Sequence, residues 1–110
     1  MEVYHWASCS TCRAERERLR ARGVQTGERD FFAQPLNRAE LVDLATKAGG
    51  IRRIFSFGSP SFRRLNREPA SLSEEEMLDY VLGEPRFLRR PLAVAGGRVL
   101  IGREVGEVGP

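Results

Sequence analysis

The first 32 residues of this chain predict a strand, a helix and a second strand in succession, and this order constrains the fold more than any other feature. Residues 3–6 form a short apolar run that is typical of a strand. Residues 11–22 contain no glycine or proline, and Gly23 follows them, as is common just after the end of a helix. Residues 24–32 predict the second strand, with Phe31 and Phe32 entering the core. Together these elements predict a βαβ unit with parallel strands.

The middle of the chain predicts helices and its last third predicts a hairpin. Capping residues predict one helix after Asn37 and another after Ser73. The first of these helices carries an apolar face made of Leu41, Leu44, Ala45 and Ala48. Residues 51–65 between the two helices predict short helical turns with a loop. Near the end of the chain, residues 92–101 predict two strands joined by a tight Gly-Gly turn. Residues 103–108 predict a short last helix. The fold class we predict is therefore α/β, with a thioredoxin-like βαβ unit and an antiparallel β-hairpin.

Length, charge and hydropathy exclude several classes of protein. A chain of 110 residues is long enough for one domain, so we expect residues 1–110 to form a single domain. No apolar run approaches the roughly 20 residues that span a bilayer, and no signal peptide is visible. We therefore expect a protein of the cytoplasm that binds no membrane. We also expect it to be a monomer. The net charge of +3 is too small and too evenly distributed to predict direct nucleic-acid binding. The arginines of the first helix, interrupted by Glu15 and Glu17, predict a solvated face.

Cys9 and Cys12 are the residues with the clearest chemical potential. Cys9 lies where the predicted first strand gives way to the helix, where unpaired backbone N–H groups and the positive end of the helix dipole stabilise a thiolate. Cys12 follows one turn later on the same side of the helix. This arrangement suits Cys9 as a nucleophile and Cys12 as the thiol that resolves a mixed disulfide.

Two other interpretations of the cysteine pair remain open from the residues alone. The two side chains could be buried structural cysteines, since cysteine packs well in cores. A zinc site would need two further ligands, and the chain offers only His5 and scattered carboxylates. We interpret His5 as a surface or packed residue, and we expect no metal and no cofactor.

Four segments, in order and over nearly the whole chain, resemble those of the arsenate reductase/Spx family. They are YHWASCSTCR at residues 4–13, Pro35-Leu36 with Glu40-Leu41, IFSFGSPSFRRL at residues 54–65, and LRRPLAV at residues 88–94 with VLIG at residues 99–102. The resemblance implies a thioredoxin-like fold with an inserted helical region. It also implies a cis peptide bond at Pro91 that turns Arg90 towards the sulfur of Cys9.

The resemblance further implies the roles of individual residues. Cys9, Cys12 and Arg90 would be catalytic, and Arg90 would hold a thiolate or a bound oxyanion with its fixed charge. The residues that would bind the substrate or an anion are Ser10, Thr11, Arg13 and Pro91.

The chain departs from the arsenate reductase pattern at the other oxyanion-binding arginines. The central segment has Ser56-Phe57-Gly58 and the hairpin has Gly102 where those enzymes carry arginine, while Arg98 and Arg103 only flank the second position. Each lost charge-assisted hydrogen bond removes roughly 1.5–3 kcal/mol, which predicts weak arsenate binding.

Two functions remain open at this stage. The first is a thiol–disulfide oxidoreductase of the arsenate reductase type, with thioredoxin or glutaredoxin and glutathione as its possible electron donor. The alternative is a Spx-like redox sensor that contacts RNA polymerase and uses the same disulfide as a switch. The basic and apolar segment at residues 52–55 is the candidate for such a contact surface, although packing with solvated charge also accounts for it.

Overall fold

A computed structural model describes residues 1–109 of the protein. The strands are β1 (Glu2–His5), β2 (Gly27–Asp30), β3 (Leu92–Ala95) and β4 (Arg98–Ile101). The α-helices are α1 (Ser10–Ala21), α2 (Arg38–Ala48), α3 (Ile51–Ile54), α4 (Pro60–Arg63) and α5 (Glu74–Gly83), and short 3₁₀ helices cover Pro69–Ser71, Pro85–Phe87 and Gly102–Glu107. The described residues divide into two compact units, one of residues 1–35 and 90–109 and one of residues 36–89. None of the helices within residues 1–109 has both the length and the apolar character to cross a membrane.

The first unit contains a four-stranded mixed sheet in the order β2-β1-β3-β4. β1 pairs in parallel with β2 and antiparallel with β3, and β3 and β4 form the predicted hairpin. Gly96 and Gly97 make its turn at φ values of 58° and 77°, which glycine adopts without steric cost. The βαβ unit and the hairpin therefore match the predicted thioredoxin-like layout, with residues 36–89 inserted between them.

The second strand is shorter than the sequence predicts. β2 covers only Gly27–Asp30, and the chain turns at Phe31 and Phe32. The carboxylate of Asp30 causes this turn by accepting hydrogen bonds from the backbone N–H groups of Phe32 (2.9 Å) and Ala33 (3.2 Å). Phe31 is buried as predicted, whereas Phe32 is half-buried.

One face of α1 packs on the sheet. Val3, Leu19, Ala93 and Val105 form the buried cluster of this unit. The arginines of this helix are exposed or half-buried, in line with the predicted solvated face. Glu15, which interrupts them in the sequence, is instead buried and accepts a hydrogen bond from Arg18 at 2.5 Å. A charge without a partner there would be costly, so the ion pair accounts for its burial.

The second unit is helical and begins with the predicted capping box. The Asn37 side chain accepts from the Glu40 N–H at 2.8 Å, and the Glu40 carboxylate accepts from the Asn37 N–H at 3.0 Å. All four residues of the predicted apolar face of α2 are buried: Leu41, Leu44, Ala45 and Ala48. Ser73 forms the same type of box with Glu76 at the start of α5, as predicted.

Candidate active site

Cys9 is the N-cap residue of α1 and its sulfur faces the start of the helix. Its backbone is extended (φ −87°, ψ 119°), and Sγ accepts a hydrogen bond from the N–H of Cys12 at 3.4 Å. The residues before it form a turn in which the Cys9 N–H donates to the Trp6 carbonyl at 3.0 Å. The sulfur thus occupies the position where a capping oxygen normally satisfies the free N–H groups of a helix.

This position favours the thiolate of Cys9. Burial raises the pKa of the thiol, but four groups oppose that effect: the Cys12 N–H, the Cys12 thiol, the Arg90 guanidinium and the Thr11 N–H. Their combined effect lowers the pKa of Cys9 below its ordinary value. A larger fraction of Cys9 is therefore nucleophilic at neutral pH than for a free thiol.

Cys12 has the opposite character. It is fully buried on the inner side of α1, and burial together with the hydrogen bond to Cys9 and the Cys9 charge raises its pKa to about 12. The N–H of Trp6 and the charge of Arg90 act in the other direction without reversing the shift. Both cysteines are free thiols in the structure. The pair thus consists of a more acidic thiol, Cys9, beside a thiol, Cys12, that stays protonated at neutral pH.

The charge of Arg90 acts on Cys9 and lowers the pKa of its thiol. The Arg90–Pro91 peptide bond is cis, as the resemblance implied for this bond. The guanidinium carbon lies over two aromatic rings, 5.4 Å from the ring centre of Trp6 and 5.5 Å from that of Phe32. These rings are themselves stacked at 4.1 Å with an interplanar angle of 12°. The aromatic pair therefore supports the cation that lowers the pKa of Cys9.

Asp30 organises the site, and the sequence analysis did not identify it. Its carboxylate accepts from the N–H of Ala7 at 3.1 Å, in the turn before Cys9, while its other oxygen accepts from the N–H of Phe32 at 2.9 Å. These hydrogen bonds lower the pKa of Asp30 against the effect of desolvation. Asp30 thus joins the loop of the nucleophile to the turn that carries the aromatic support of Arg90. The available signal was an aspartate at the end of a strand, where it commonly caps a turn.

The predicted anion-binding residues differ in their exposure and in their contacts. Ser10 and Thr11 are exposed in the first turn of α1, and the Thr11 N–H interacts with the Cys9 sulfur. Arg13 donates to the Ala7 carbonyl at 3.4 Å and so borders the loop. Pro91 is buried, and its carbonyl accepts from the N–H of Gly102 at 2.8 Å.

The hairpin has no arginine beside Pro91 at the position the resemblance singled out. Gly102 has φ of 61°, a conformation in which an arginine would be strained. Arg98 pairs with Ala95 at the turn end of the hairpin, three residues along β4 from the Leu92–Ile101 pair, or roughly 10 Å. Arg103 follows Gly102 and is exposed. Arg98 therefore cannot replace the absent guanidinium without a large movement of the strand.

His5 is buried at the end of β1, which matches its interpretation as a packed residue. Its Nδ1 has no hydrogen-bond partner within residues 1–109. Burial first, and then the charge of Arg16, lower the pKa of the imidazole, although Asp30 and Glu28 act in the opposite sense. His5 is therefore neutral at pH 7. Residues 1–109 contain no group of three or more histidine, cysteine or acidic side chains that could hold a metal.

Only two residues of the candidate contact segment at residues 52–55 are exposed, namely Arg52 and Arg53. Ile54 and Phe55 are buried in the core of the second unit, so they offer no apolar area to a partner. Arg52 donates to the carbonyls of Pro69 and Leu72, and Arg53 is exposed. The interpretation of packing with solvated charge fits this segment better than a preformed apolar docking surface.

Comparison with known proteins agrees with this architecture. The family model of the ArsC family matches residues 4–109. The chain belongs to the ArsC family.

Among curated relatives of this ArsC-family protein, the regulatory protein MgsR of Bacillus subtilis is 31% identical over 109 residues, covering 98% of this chain and 86% of MgsR. The global transcriptional regulator Spx of Enterococcus faecalis is also 31% identical, covering 98% of this chain and 83% of Spx. The arsenate reductase of Vibrio cholerae has the same fold, with a TM-score of 0.82 at 23% identity, covering 98% of this chain and 95% of the enzyme.

Proposed function

We propose that this ArsC-family protein is a thiol–disulfide oxidoreductase that cycles Cys9 and Cys12 through an intramolecular disulfide. The observation that carries the proposal is the asymmetry of the two thiols, because the pKa of Cys9 is lowered while that of buried Cys12 is raised to about 12. A pair of structural cysteines has no need of such asymmetry. A nucleophile and a resolving thiol require it.

The reaction consists of two thiol–disulfide exchanges. The Cys9 thiolate attacks one sulfur of a substrate disulfide, the substrate S–S bond breaks, and the second substrate sulfur leaves as a thiolate that takes up a proton. Cys12 then loses its proton and attacks the Cys9 sulfur, which releases the first substrate sulfur as a thiol. The substrate gains two electrons and two protons, and the protein retains the Cys9–Cys12 disulfide.

Arg90 assists the first step by electrostatics. Its guanidinium favours the Cys9 thiolate, and the Trp6–Phe32 stack keeps it there at 5.4 and 5.5 Å from the two ring centres. We expect the Thr11 N–H, which interacts with the Cys9 sulfur, and the exposed Ser10 and Arg13 side chains to contact the substrate. Pro91 is buried and would contribute as the residue that follows Arg90.

The oxidised pair then needs an electron donor. Thioredoxin, or glutaredoxin with glutathione, can supply the two electrons by a further disulfide exchange with Cys9. Such cycling is compatible with the reducing cytoplasm, where catalytic disulfides are transient. No cofactor enters this scheme, because sulfur atoms carry both electrons.

A redox-responsive regulator that contacts RNA polymerase is the second candidate function. Two curated relatives with 31% identity support it, since one is named a regulatory protein and the other a global transcriptional regulator. In such a protein the Cys9–Cys12 disulfide would alter a partner surface and would not turn over. The site chemistry is the same for both functions, so the partner distinguishes them.

The decisive experiment is capture of partners with Cys12→Ser in an extract of the native cell. Without the resolving thiol, the mixed disulfide at Cys9 should accumulate and be released by dithiothreitol. Cys9→Ser is the matched control, because it retains Cys12 and loses the nucleophile. Equal capture by the two variants, or none by either, would contradict the proposal.

The same preparation separates the two functions. An oxidoreductase should trap substrate proteins at Cys9 in a form that dithiothreitol releases. A regulator should retain RNA polymerase subunits by non-covalent contacts that survive dithiothreitol and depend on the redox state of the wild-type pair.

A further inference from the structure

The basic side chains of residues 36–89 fall into two groups. One group is ion-paired: Arg38 with Glu75 and Asp79, Lys47 with Asp43, Arg67 with Glu76, and Arg86 with Glu84. The other group makes no ion pair with a carboxylate of residues 1–109, and it consists of Arg52, Arg53, Arg63, Arg64 and Arg89. The charge of this second group is not neutralised within the described part of the chain.

Three of these arginines line a single cleft of about 370 Å³ within the second unit. They are Arg52, Arg53 and Arg89, and the remaining wall comes from residues 55–58, so no carboxylate lines the cleft. Its volume is within the usual range of small-molecule sites, roughly 300–1,000 Å³. A cleft lined by charges of one sign concentrates the electrostatic potential and attracts ligands of the opposite sign.

Two of the three arginines are held in place by neutral groups. Arg52 donates to the carbonyls of Pro69 (3.0 Å) and Leu72 (2.7 Å). Its guanidinium carbon lies 5.6 Å from the ring centre of Phe57. Arg89 donates through Nη1 to the carbonyl of Arg53 at 3.4 Å. Carbonyls and rings orient these side chains without cancelling their charge, so little conformational entropy is lost when an anion binds.

We propose that this cleft, formed around Arg52, Arg53 and Arg89, binds a phosphate-bearing ligand. Each guanidinium has five N–H donors in a planar fork that fits phosphate oxygens in pairs. A phosphate group carries close to two negative charges and three acceptor oxygens, which suit several guanidinium groups better than a single carboxylate does. The proposal does not rest on the thiol chemistry of Cys9.

Binding is tested by calorimetric titration of the full chain with pyrophosphate and, separately, with adenosine diphosphate. We expect Arg53→Gln and Arg89→Gln each to weaken binding by about tenfold, since each removes charge-assisted hydrogen bonds to the anion. Arg38→Gln is the matched control, because it changes the net charge equally but removes an ion-paired arginine outside the cleft. It should change affinity by less than about twofold, and circular dichroism should show all three variants folded.

The outcomes of the titration decide between specific and general attraction. Backbone amide resonances of residues 52–58 should shift on addition of pyrophosphate, which places the ligand in the cleft. Tighter binding of the nucleotide than of pyrophosphate would identify a nucleotide as the source of the phosphate, and equal binding would identify the phosphate group alone.

The proposal is overturned if neither probe binds at about 10 mM or if Arg38→Gln weakens binding as much as Arg53→Gln. It is also overturned if a hexaglutamate peptide binds through Arg53 and Arg89 while both phosphates do not.

Discussion

The guanidinium carbon of Arg90 lies 5.4 Å from the ring centre of Trp6. It lies 5.5 Å from the ring centre of Phe32, which stacks on Trp6. Trp6 also participates in the cysteine site through its backbone, since its carbonyl accepts from the Cys9 N–H at 3.0 Å. The same residue therefore shapes the nucleophile loop and supports the cation that stabilises the thiolate.

Removal of the Arg90 charge should raise the pKa of Cys9. We expect Arg90→Ala to raise it by about 1 unit, equivalent to 1.4 kcal/mol of lost preference for the thiolate. Absorbance of the thiolate near 240 nm as a function of pH measures this shift. Arg98→Ala, which removes an exposed arginine at the turn end of the hairpin, should change the pKa little. Equal shifts in the two variants would show a general charge effect and contradict the role of Arg90.

Loss of the aromatic support should act through Arg90. We expect Trp6→Leu to raise the pKa of Cys9 by about half a unit, since an exposed cation–π contact contributes about 0.5–1 kcal/mol. In an Arg90→Ala background the same substitution should add nothing, because the group it positions is absent. Trp6→Phe should restore most of the effect. Additive shifts in the double variant would mean that Trp6 acts on Cys9 independently of Arg90.

Alkylation should distinguish the two cysteines. The pKa of Cys12 is raised to about 12 and that of Cys9 is lowered below its ordinary value, so a far larger fraction of Cys9 than of Cys12 is thiolate at pH 7. The lower nucleophilicity of a less basic thiolate offsets only part of this advantage, and burial of Cys12 increases it again. Iodoacetamide followed by peptide mass spectrometry should therefore find Cys9 modified first. Modification of Cys12 at a similar rate would reverse the assigned roles.

Protein stability should fall as pH decreases below neutrality because of His5. The folded pKa of His5 is lowered from the value of 6.5, so below about pH 6.5 the unfolded chain binds a proton that the folded chain does not. The free energy of unfolding therefore rises with pH between the folded pKa and 6.5. Urea denaturation at a series of pH values should show this slope, and His5→Gln should remove it. A slope that persists in the variant would assign the effect to other groups.

Arsenate reduction should be slow. Ser56, Gly58 and Gly102 provide no guanidinium, and the positive φ of Gly102 disfavours an arginine there. With thioredoxin or with glutaredoxin and glutathione as donor, turnover at millimolar arsenate should remain far below about 1 s⁻¹, the lower end of common enzyme rates. Turnover at that rate would mean that Arg103 supplies the missing charge, and Arg103→Ala should then abolish it.

Local sequence patterns were sufficient for most of the elements. The two capping boxes, the Gly-Gly turn of the hairpin and the apolar face of α2 depend on contacts within about four residues, and each is present in the structure. The position of Cys9 at the helix start is local in the same sense. That residues 1–110 act as one domain stays a prediction, since the chain divides into two compact units.

The support of the cysteine site could not be predicted from local patterns. Asp30 reaches Ala7 across 23 residues of sequence, and Arg90 reaches Trp6 and Phe32 only because β3 lies beside β1 in the sheet. The burial of Glu15 likewise depends on packing that its charged neighbours in the sequence do not indicate.

The sequence by itself determined the order of the elements, the family segments and the placement of the candidate nucleophile Cys9 at a helix start, because helix caps, turns and the cysteine spacing are properties of neighbouring residues. Only the tertiary structure decided how strongly the two thiols differ, since the pKa of Cys12 is raised to about 12 chiefly by burial. It also decided which charges meet, because the ends of β1, β2 and β3 bring Trp6, Asp30 and Arg90 together from three separate parts of the chain. Burial and long-range pairing arise only when the chain is folded. The sequence could therefore locate the cysteine site but could not predict the size of the pKa difference between its two thiols.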